Sequence, residues 1–577
     1  MAISEPAPHQ GRAFDLDLPR RLPRVLDRAA ASHKRACLLL VIVALAAFLP
    51  GFFSLSPIDR DESRFAQATK QMLESGNYVD IRFHVQVRYK KPVGIHWLQA
   101  ASVKLGEAVI GPSARTSIAF YRLPSLIGAI GAVLLTYWTA LVFASRRGAL
   151  LAGLMMASCV LLGVEARLAK TDAVLLFTIM ACMGALARAY LKAPGERMSD
   201  FKLSAIFWTA MAGGILVKGP MAPLFVALPV LALVIAGRSG RFLKALKPLM
   251  GLLWCLLLVL PWFIAIYYVT AGKFYELAVG VDMLGKVTEG QEGHWGPPGT
   301  YLLAVWGTFW PSVVLAAMAL PFGWRARREP AVRFLIAWVV PTWIVFEIAA
   351  TKLPHYVLPL YPGLAILAAM ALERGALAKA GSRLAGLVWL WPVMAGLLAV
   401  GLGGAYVWLG SGFGLLAWPL LLVAVALAVI AARAMARTGA EGAFLTMVAG
   451  ALFLYLGVYQ MLLPQMRAVW ISERLAAIAA ESGCPAENIA SVPYQEPSLV
   501  FLVGTKINYV GPLEAADLLK KGGCALAFID RRMQPFFEAR AATLKLKYSA
   551  IATVEGFAYN GGRPVSITVY RSQEAAE

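Results

Sequence analysis

The chain has 577 residues, of which 59% are hydrophobic and only 15% are charged, and its mean hydropathy is +0.66. This composition excludes a soluble multidomain enzyme and a disordered chain, because both need more polar and charged residues. The formal net charge of +21 does not by itself indicate a nucleic-acid partner, since Lys and Arg also collect in the cytoplasmic loops of membrane proteins. The composition therefore predicts a polytopic α-helical membrane protein that binds no nucleic acid.

Apolar runs bounded by charged residues predict about thirteen transmembrane helices, each long enough to cross a hydrocarbon layer roughly 30 Å thick. The predicted segments are 36–54, 118–143, 148–164, 172–191, 203–217, 220–236, 248–269, 300–323, 334–350, 356–372, 384–409, 413–432 and 441–463.

The distribution of Lys and Arg predicts the orientation of these helices. If the N-terminus is cytoplasmic, the inner loops hold several times as many Lys and Arg residues as the short outer loops. This asymmetry is the usual topological signal of a membrane protein. The first helix follows a basic stretch but lacks a small-residue cleavage site, so we expect it to remain uncleaved. The pattern fits a bacterial inner membrane with the C-terminus on the periplasmic side.

Three parts follow along the chain: a basic cytoplasmic N-terminus over 1–35, a transmembrane region over 36–464, and a periplasmic domain over 465–577. A long first outer loop covers about 55–117. The C-terminal part alternates short apolar runs with turns, which predicts a small α/β domain. The predicted strands are 488–492, 499–503, 507–510, 525–529 and 565–570, with helices near 472–482 and 512–521.

Two of the six cysteines, Cys484 and Cys524, share this outer domain, whereas the others fall in predicted membrane segments. A buried thiol in a membrane segment needs no special role. An oxidising compartment is compatible with a disulfide between Cys484 and Cys524. Two free thiols are equally compatible, because spacing does not show the pairing geometry.

The first outer loop opens with charged residues that the membrane pattern does not require. Asp61, Glu62 and Arg64 come directly after the first predicted helix. One interpretation is an ordinary solvated helix start, where acidic residues favour the positive end of the helix dipole. The other is a reaction site, with Asp61 as a base or charge stabiliser and Arg64 as an anion-binding group.

A second charged stretch lies further along the same loop, where Tyr89, Lys90 and Lys91 precede a proline. Tyr and Lys are common anchors among lipid headgroups, which is one interpretation. The alternative is that Lys91 binds a phosphate.

Later outer junctions carry further candidates. Asp172 opens a predicted membrane helix and fits an N-cap as well as a site carboxylate. Lys218 lies in a short turn, where a lysine that only snorkels to the surface is the alternative. A glycine-rich segment over 289–295 contains His294 and is suited to close over a ligand. Lys352, His355 and Tyr356 crowd a last outer junction, where a solvated loop end is the alternative.

The combination predicts a site on the outer face for an anionic substrate. Four cations are suited to bind an anion: Arg64, Lys91, Lys218 and Lys352. Carboxylates such as Asp61 are suited to accept a proton or to stabilise a developing positive charge. A sugar carried on a polyprenyl phosphate satisfies both requirements. No nucleotide-binding glycine motif occurs in the required strand-and-helix context, so no nucleotide is expected.

These stretches resemble the polyprenyl-phosphate-sugar-dependent membrane glycosyltransferases related to protein mannosyltransferases, and within them the enzymes that transfer 4-amino-4-deoxy-L-arabinose to lipid A. The resemblance covers most of the chain. Its motifs are Asp61-Glu62-Ser63-Arg64-Phe65, Met72-Leu73-Glu74-Ser75-Gly76-Asn77-Tyr78, Tyr89-Lys90-Lys91-Pro92, Thr171-Asp172, Lys218-Gly219-Pro220, Lys352-Leu353-Pro354-His355-Tyr356-Val357-Leu358-Pro359 and Tyr494-Gln495-Glu496-Pro497-Ser498-Leu499-Val500-Phe501.

The resemblance implies a GT-C fold and inverting transfer of a sugar from undecaprenyl phosphate to lipid A or lipopolysaccharide. It implies that Asp61 is the catalytic aspartate and that Asp172 is a second site carboxylate. Arg64, Lys91 and Tyr356 are implied as contacts to the donor phosphate, with Lys218 as its neighbour. Tyr89, Lys352 and His355 remain further site candidates.

One departure from the family pattern concerns metal binding. The residue before the motif lysine is usually Glu in the aminoarabinose enzymes, whereas Lys90 stands here. We therefore expect a divalent cation to be nonessential, or to bind through groups such as His294 or Glu62. No other cofactor is expected.

Two other functions fit the same sequence. One is a related transferase that acts on protein, on a core sugar of lipopolysaccharide or on another membrane lipid. The other is a transporter with a periplasmic domain, although transporters place their charges near the bilayer midplane and show repeats, which this sequence lacks. The sequence also leaves open whether Asp61 acts as a base or as an electrostatic stabiliser.

Overall fold

The computed structural model describes residues 18–191, 199–283, 285, 294–377, 384, 386–410 and 412–573. Residues 1–17 of the predicted basic N-terminus and residues 289–293 of the glycine-rich segment lie outside the described residues.

Nine helices in the described ranges are long and apolar enough to cross a membrane. Such stretches become helices because a helix satisfies its own backbone hydrogen bonds in lipid. The chain is therefore a multi-pass membrane protein. The nine are Ile118–Ala140, Asp172–Leu191, Asp200–Lys218, Pro248–Thr270, Pro330–Ile348, Pro354–Glu373, Gly386–Trp408, Trp418–Arg437 and Gly439–Gln465.

The four remaining predicted spans are also helical, but they are short or broken. Two adjoining helices bend by 62° where one span was predicted over 148–164. The predicted span over 300–323 is divided between two helices. The exact number of thirteen spans is therefore not confirmed. The helices at these four places are His33–Phe48, Arg146–Ala157 with Val160–Ala166, Met221–Gly237, and Thr300–Thr308 with Val313–Arg325.

The first outer loop forms two helices, Asp61–Ser75 and Gly94–Ile110, joined through a small antiparallel hairpin of strands β1 (Arg82–Phe83) and β2 (Gln86–Val87). A Cβ atom on Gly94 would lie 2.7 Å from the carbonyl oxygen of Leu216. Glycine is therefore required where this loop meets the end of a membrane helix. Shorter elements are Leu18–Ala30, Gly111–Arg115, Arg241–Leu246, Lys273–Tyr275 and the π-helical Glu276–Met283.

The C-terminal part folds around a five-stranded sheet, which confirms the predicted α/β domain. In chain order the strands are β3 (Ile489–Val492), β4 (Asn508–Tyr509), β5 (Leu526–Asp530), β6 (Tyr548–Ala558) and β7 (Arg563–Ser572). Their spatial order is β4-β3-β5-β7-β6. Strand β3 is parallel to β4 and β5, whereas β7 is antiparallel to β5 and β6. The helices are Ile471–Ser482, Pro497–Val503, Pro512–Lys520 and Gln534–Thr543.

One predicted strand is wrong. Residues 499–503 lie in the helix Pro497–Val503, whose residues Pro497 to Phe501 are buried. A short apolar run does not distinguish a buried strand from a buried helix. Here Pro497 at the first helical position favours the helix. The strand Tyr548–Ala558 was not predicted, because its small and polar residues lack a clear alternation.

Cys484 and Cys524 form a disulfide with their Cα atoms 5.0 Å apart. It joins residues 40 positions apart in the sequence of the outer domain. Cys37, Cys159 and Cys182, like Cys255, are free thiols in the membrane region.

The outer domain is seated directly on the first outer loop. Lys70 Nζ donates to the carbonyl oxygen of Phe501 at 2.9 Å, and Gln67 Nε2 donates to Thr505 Oγ1 at 2.7 Å. These contacts fix the domain above the helix that begins at Asp61.

Candidate active site

A polar cavity lies where the first outer loop meets the ends of several membrane helices. Its volume is about 100 Å³. The lining combines carboxylates, cations and two histidines, which is unusual beside membrane-spanning helices. The lining residues are Asp61, Phe65, Arg88, Lys90, Lys91, Lys170, Thr171, Asp172, Lys218, Asp282, His294, Thr351, Leu353, His355 and Tyr356.

Asp61 enters this cavity as the first residue of its helix, Asp61–Ser75. Its side chain is 55% exposed, and its Oδ1 atom lies 4.0 Å from Arg88 Nη2. The preceding residue, Arg60, has φ of 69°. Non-glycine residues rarely adopt that conformation, so local backbone strain accompanies the position of Asp61.

A buried ion pair holds this helix start in place. The Glu62 carboxylate accepts hydrogen bonds from Arg122 Nε at 2.7 Å and Arg122 Nη2 at 2.9 Å. It also accepts from the backbone N–H groups of Ile58 and Ala169. Since both partners are buried and their polar atoms are satisfied, Glu62 anchors the loop to the helix that contains Arg122.

Asp172 also lines the cavity, in the first turn of Asp172–Leu191. It accepts a hydrogen bond from Lys218 Nζ. Gly219, with φ of 58°, ends the helix directly after Lys218 and thereby leaves that lysine at the helix end. A second ammonium, Lys170 Nζ, lies 3.7 Å from Asp172 Oδ2.

Lys170 connects Asp172 with a second buried carboxylate. Its Nζ atom lies 2.9 Å from Glu165 Oε1. Burial alone would lower the pKa of the Lys170 ammonium, but the carboxylates of Glu165 and Asp172 hold that pKa above its usual value. Lys170 therefore stays charged beside the cavity at neutral pH.

His355 lies between the same two carboxylates. Its Nδ1 atom is 3.8 Å from Glu165 Oε1, and its Nε2 atom is 3.7 Å from Asp172 Oδ1. The next residue, Tyr356, packs its ring under Lys218 Nζ, 5.6 Å from the ring centroid. Within the described part of the chain the Tyr356 hydroxyl has no hydrogen-bond partner, so it is available to a ligand in the cavity.

Lys91 completes the cavity from the first outer loop. Its Nζ atom lies 2.9 Å from Asp282 Oδ2, in the π-helical segment Glu276–Met283. His294 lines the cavity nearby. Lys91 thus faces the cavity already paired with a carboxylate from a distant part of the sequence.

Four candidates from the sequence do not line the cavity. Glu62 is committed to Arg122 as described, and Arg64 lies on the same helix outside the lining. Tyr89 donates from its hydroxyl to Asp80 Oδ1 at 2.6 Å. Lys352 Nζ donates to the carbonyl oxygens of Phe346, Glu347 and Ala349, because these end a helix and lack helical partners.

Sequence reasoning missed four polar groups near the cavity. Arg88, Lys170 and Asp282 line it, and Glu165 contacts Lys170 and His355. Arg88 directly precedes the candidate Tyr89, and Lys170 and Glu165 lie two and seven residues before the candidate Asp172. Asp282 carries no local signal, since it lies in a mostly apolar stretch more than a hundred residues from Arg88, Lys170 and Glu165.

Three possible metal ligands lie together near Asp172. Glu165, Asp172 and His355 place one ligand atom each within 4.8 Å of one another. However, the ammonium groups of Lys170 and Lys218 already neutralise the same carboxylates. A cation there would lie beside two positive charges, so these residues do not fit a metal. Glu62 does not fit either, because its oxygens are hydrogen-bonded to Arg122 and backbone N–H groups.

The architecture defines a class of protein: a polytopic membrane protein with the GT-C fold, as expected from the sequence. The crystal structure of ArnT from Cupriavidus metallidurans bound to undecaprenyl phosphate superposes with a TM-score of 0.72 and 20% identity, covering 93% of this chain and 98% of that chain. ArnT from the same organism in the apo state gives a TM-score of 0.70.

Sequence comparison points to the same group of proteins. The family described as dolichyl-phosphate-mannose-protein mannosyltransferase matches residues 37–273. Undecaprenyl phosphate-alpha-4-amino-4-deoxy-L-arabinose arabinosyl transferase from Pectobacterium carotovorum is 28% identical over 342 residues, which is 58% of each chain. The protein of the same name from Yersinia pestis is 28% identical over 313 residues, or 54% of each chain. The match thus spans little more than half the length of these curated relatives.

Proposed function

We propose that the chain is an inverting glycosyltransferase that moves a sugar, of the aminoarabinose type, from undecaprenyl phosphate to lipid A or lipopolysaccharide. The observation that carries this proposal is the convergence of Asp61, Asp172, Lys91, Lys218 and Tyr356 on one cavity. The relatives named above are, by name, undecaprenyl phosphate-alpha-4-amino-4-deoxy-L-arabinose arabinosyl transferases, and the fold matches that of ArnT bound to undecaprenyl phosphate.

The reaction follows from the charges of the cavity. The acceptor oxygen attacks the anomeric carbon of the sugar while the bond from that carbon to the phosphate oxygen breaks, and the electron pair leaves with the phosphate. We assign Lys91 and the Tyr356 hydroxyl to binding of that leaving phosphate, because both line the cavity. Cations and hydroxyl donors stabilise such developing negative charge in a site of low dielectric.

Asp61 has one of two roles, which depend on the acceptor. If the acceptor is a hydroxyl, Asp61 accepts its proton during attack. If the acceptor is a phosphate, it is already an anion, and Asp61 instead stabilises positive charge on the sugar. Asp172 is paired with the ammonium groups of Lys218 and Lys170. We therefore assign it a positioning role, in which it holds these two cations beside the cavity.

We also propose the topology expected from the sequence, with 1–35 in the cytoplasm, 36–464 across the bacterial inner membrane and 465–577 in the periplasm. Support comes from the positions of the outer domain and the cavity, which share one end of the membrane helices. Labelling of single introduced cysteines from either side of intact cells, in a background without the native cysteines, tests this orientation. A cysteine in place of Arg531, in the outer domain, should be labelled in intact cells. Labelling of this cysteine only after the cells are permeabilised would contradict the proposed orientation.

The activity is tested with the purified full-length protein in lipid nanodiscs. Asp61→Ala and Lys91→Ala should each abolish transfer from the undecaprenyl-phosphate-linked sugar to lipid A, with the protein still inserted and folded. Lys104→Ala is the matched control, because Lys104 packs on Tyr78 in the same outer loop away from the cavity. Normal turnover in both cavity variants would remove these residues from the site.

Mass spectrometry of lipid A and core oligosaccharide from a deletion strain identifies the acceptor. Loss of an aminoarabinose mass from lipid A supports the proposal. Loss of a sugar from protein or from another lipid, with lipid A unchanged, would point to the related transferase instead. A photoreactive polyprenyl phosphate separates the transferase from a transporter. For the transferase, an unlabelled donor should reduce crosslinking of this probe to the folded protein. Crosslinking that the donor does not reduce would favour a transporter.

A further inference from the structure

A second polar pocket lies between the membrane helices and the outer domain. Its volume is about 710 Å³. It is lined by the helix end at Tyr406 and Leu409, by Arg467, and by Arg474 and Glu555 of the outer domain. None of these residues belongs to the cavity that contains Asp61.

The walls of the pocket are held by contacts between the two parts of the chain. Arg474 Nη1 donates to the carbonyl oxygen of Glu555 at 2.5 Å, and Phe557 N donates to the carbonyl oxygen of Ala468 at 2.8 Å. The ring of Phe557 meets that of Trp408 at 5.5 Å. The outer domain therefore forms one wall, and the ends of two membrane helices form the other.

The pocket carries an excess of positive charge. Among its lining residues, Arg467 and Arg474 are basic and Glu555 is acidic. Arg474 donates a hydrogen bond to the backbone carbonyl oxygen of Glu555. In the ranges that the structure describes, the exposed Arg467 guanidinium has no hydrogen-bond or ion-pair partner. Guanidinium groups bind phosphate with two parallel hydrogen bonds, so a phosphate is the ligand that fits best.

The surroundings of the pocket indicate a lipid rather than a soluble molecule. The pocket opens where the spans Gly386–Trp408 and Gly439–Gln465 end. Beside it lie large apolar side chains that are between 72% and 78% exposed. These residues are Trp408, Phe413, Leu415 and Leu416. Aromatic and aliphatic side chains exposed at the end of a span lie at the level of lipid headgroups and upper acyl chains.

An apolar groove has lining residues next to this pocket and in the active-site loop. Its volume is about 250 Å³, and its lining includes Tyr459, Leu463 and Met466 together with Ile58 and Tyr559. Met466 and Arg467 are neighbours in sequence, with Met466 lining the groove and Arg467 lining the pocket. A phosphorylated headgroup at Arg467 would thus have an apolar channel for a chain beside it.

Strand β6 links the pocket to the active site. Glu555 lines the pocket, and Tyr559 follows four residues later. Four residues of extended chain span about 13 Å. The backbone N–H of Asp59 donates to the Tyr559 hydroxyl at 2.7 Å, and Asp61 follows two residues on. A short stretch of extended chain, about as long as a headgroup of two or three sugars, therefore joins the wall of the pocket to the start of the active-site helix.

From this arrangement we infer that the pocket lined by Arg467 and Arg474 binds a phosphate on the headgroup of the lipid that accepts the sugar. This inference rests on the proposed function and adds the place at which the acceptor is held. Arg467 binds the phosphate directly, whereas Arg474 orients the wall of the pocket through Glu555. The sugar donor does not enter this pocket.

The first experiment measures transfer at varied lipid A concentration with the full-length protein in nanodiscs. Arg467→Gln should raise the KM for lipid A about tenfold, the effect of removing one charge-assisted hydrogen-bonding group, and should leave the KM for the donor as it is in the wild type. Arg531→Gln is the matched control, because Arg531 is an exposed arginine of the outer domain that does not line the pocket. An unchanged acceptor KM in Arg467→Gln would overturn the inference.

The second experiment needs no turnover, so it separates the pocket from the proposed reaction. Photoreactive benzoylphenylalanine in place of Leu409 should crosslink to lipid A, and unlabelled lipid A should prevent this whereas millimolar inorganic phosphate should not. Crosslinking to undecaprenyl phosphate instead, or equal protection by inorganic phosphate, would contradict an acceptor-lipid site. If the protein with benzoylphenylalanine at Leu409 crosslinks lipid A but the wild type transfers no sugar, the proposed function fails and the lipid site stands.

Discussion

Lys91 Nζ lies 2.9 Å from Asp282 Oδ2, so the cation best placed for the donor phosphate is paired with a carboxylate of the protein. A donor phosphate that uses Lys91 has to compete with that carboxylate. The ion pair joins the first outer loop to the π-helical segment Glu276–Met283, and both groups are largely buried.

Replacing the competing carboxylate should therefore strengthen donor binding. Asp282→Asn should lower the Kd for undecaprenyl phosphate by about three- to tenfold, because a partly buried ion pair of about 1 kcal/mol no longer has to be broken. Binding is measured by displacement of a fluorescent polyprenyl phosphate in nanodiscs. Glu276→Gln, in the same segment but outside the cavity lining, is the control. Weaker binding in Asp282→Asn would mean that Asp282 helps to hold the donor.

The second prediction concerns Glu165, which contacts Lys170 and approaches His355 but does not line the cavity. Its Oε2 atom is buried without a hydrogen-bond partner among the described residues. Glu165→Gln removes the charge that holds Lys170, so Lys170 should shift toward Asp172. We expect kcat to fall about tenfold or more while the KM for the donor changes little, as for a positioning residue.

Steady-state kinetics at saturating acceptor measure this effect of Glu165→Gln. Glu107→Gln is the control, since Glu107 also pairs with a basic residue, Arg115, but lies on the outer helix away from the site. A loss confined to the donor KM would instead place Glu165 in donor binding.

Much of this architecture could be predicted from hydropathy, since a bilayer admits few backbone solutions. Asp61, Lys91 and Asp172 were recognisable because they are charges that neither span length nor orientation requires. The convergence of Asp282 with Lys91 was not predictable, since 191 positions separate them. Arg122 was missed because it lies inside an apolar segment, and its role is visible only once Glu62 is seen beside it.

The third prediction follows from that buried pair. Glu62→Ala should lower the free energy of unfolding by about 3–5 kcal/mol, because Arg122 would be left as an unpaired buried charge. Thermal unfolding in detergent measures the loss. The double variant Glu62→Gln with Arg122→Met should recover part of it, since no buried charge remains. Equal destabilisation by the single and double variants would show that the hydrogen bonds of Arg122 to Phe52 and Leu55 matter more.

The last prediction concerns Asp59, where the first outer loop meets the outer domain. Its Oδ1 atom accepts a hydrogen bond from the backbone N–H of Ser498 at 2.9 Å. Burial, followed by the nearby Glu496 carboxylate, raises the pKa of Asp59 to about 7, although the bonds from Ser498 and Tyr559 act in the opposite direction. Asp59 therefore binds a proton in the folded protein at a pH where the unfolded chain has lost it.

A carboxyl whose pKa is raised on folding stabilises the protein fully below its ordinary pKa of about 4, and this contribution disappears as the pH rises toward 7. The free energy of unfolding of the wild type should therefore fall relative to that of Asp59→Asn as the pH rises from 4 to 7. Above pH 7 the difference between the two proteins should stay constant. Thermal unfolding at a series of pH values measures this difference. Asp530→Asn should show no such shift in this window, because hydrogen bonds from Arg532 overcome the effect of burial and hold the pKa of Asp530 below its ordinary value. A flat difference for Asp59→Asn would mean that Asp59 stays ionised against the outer domain.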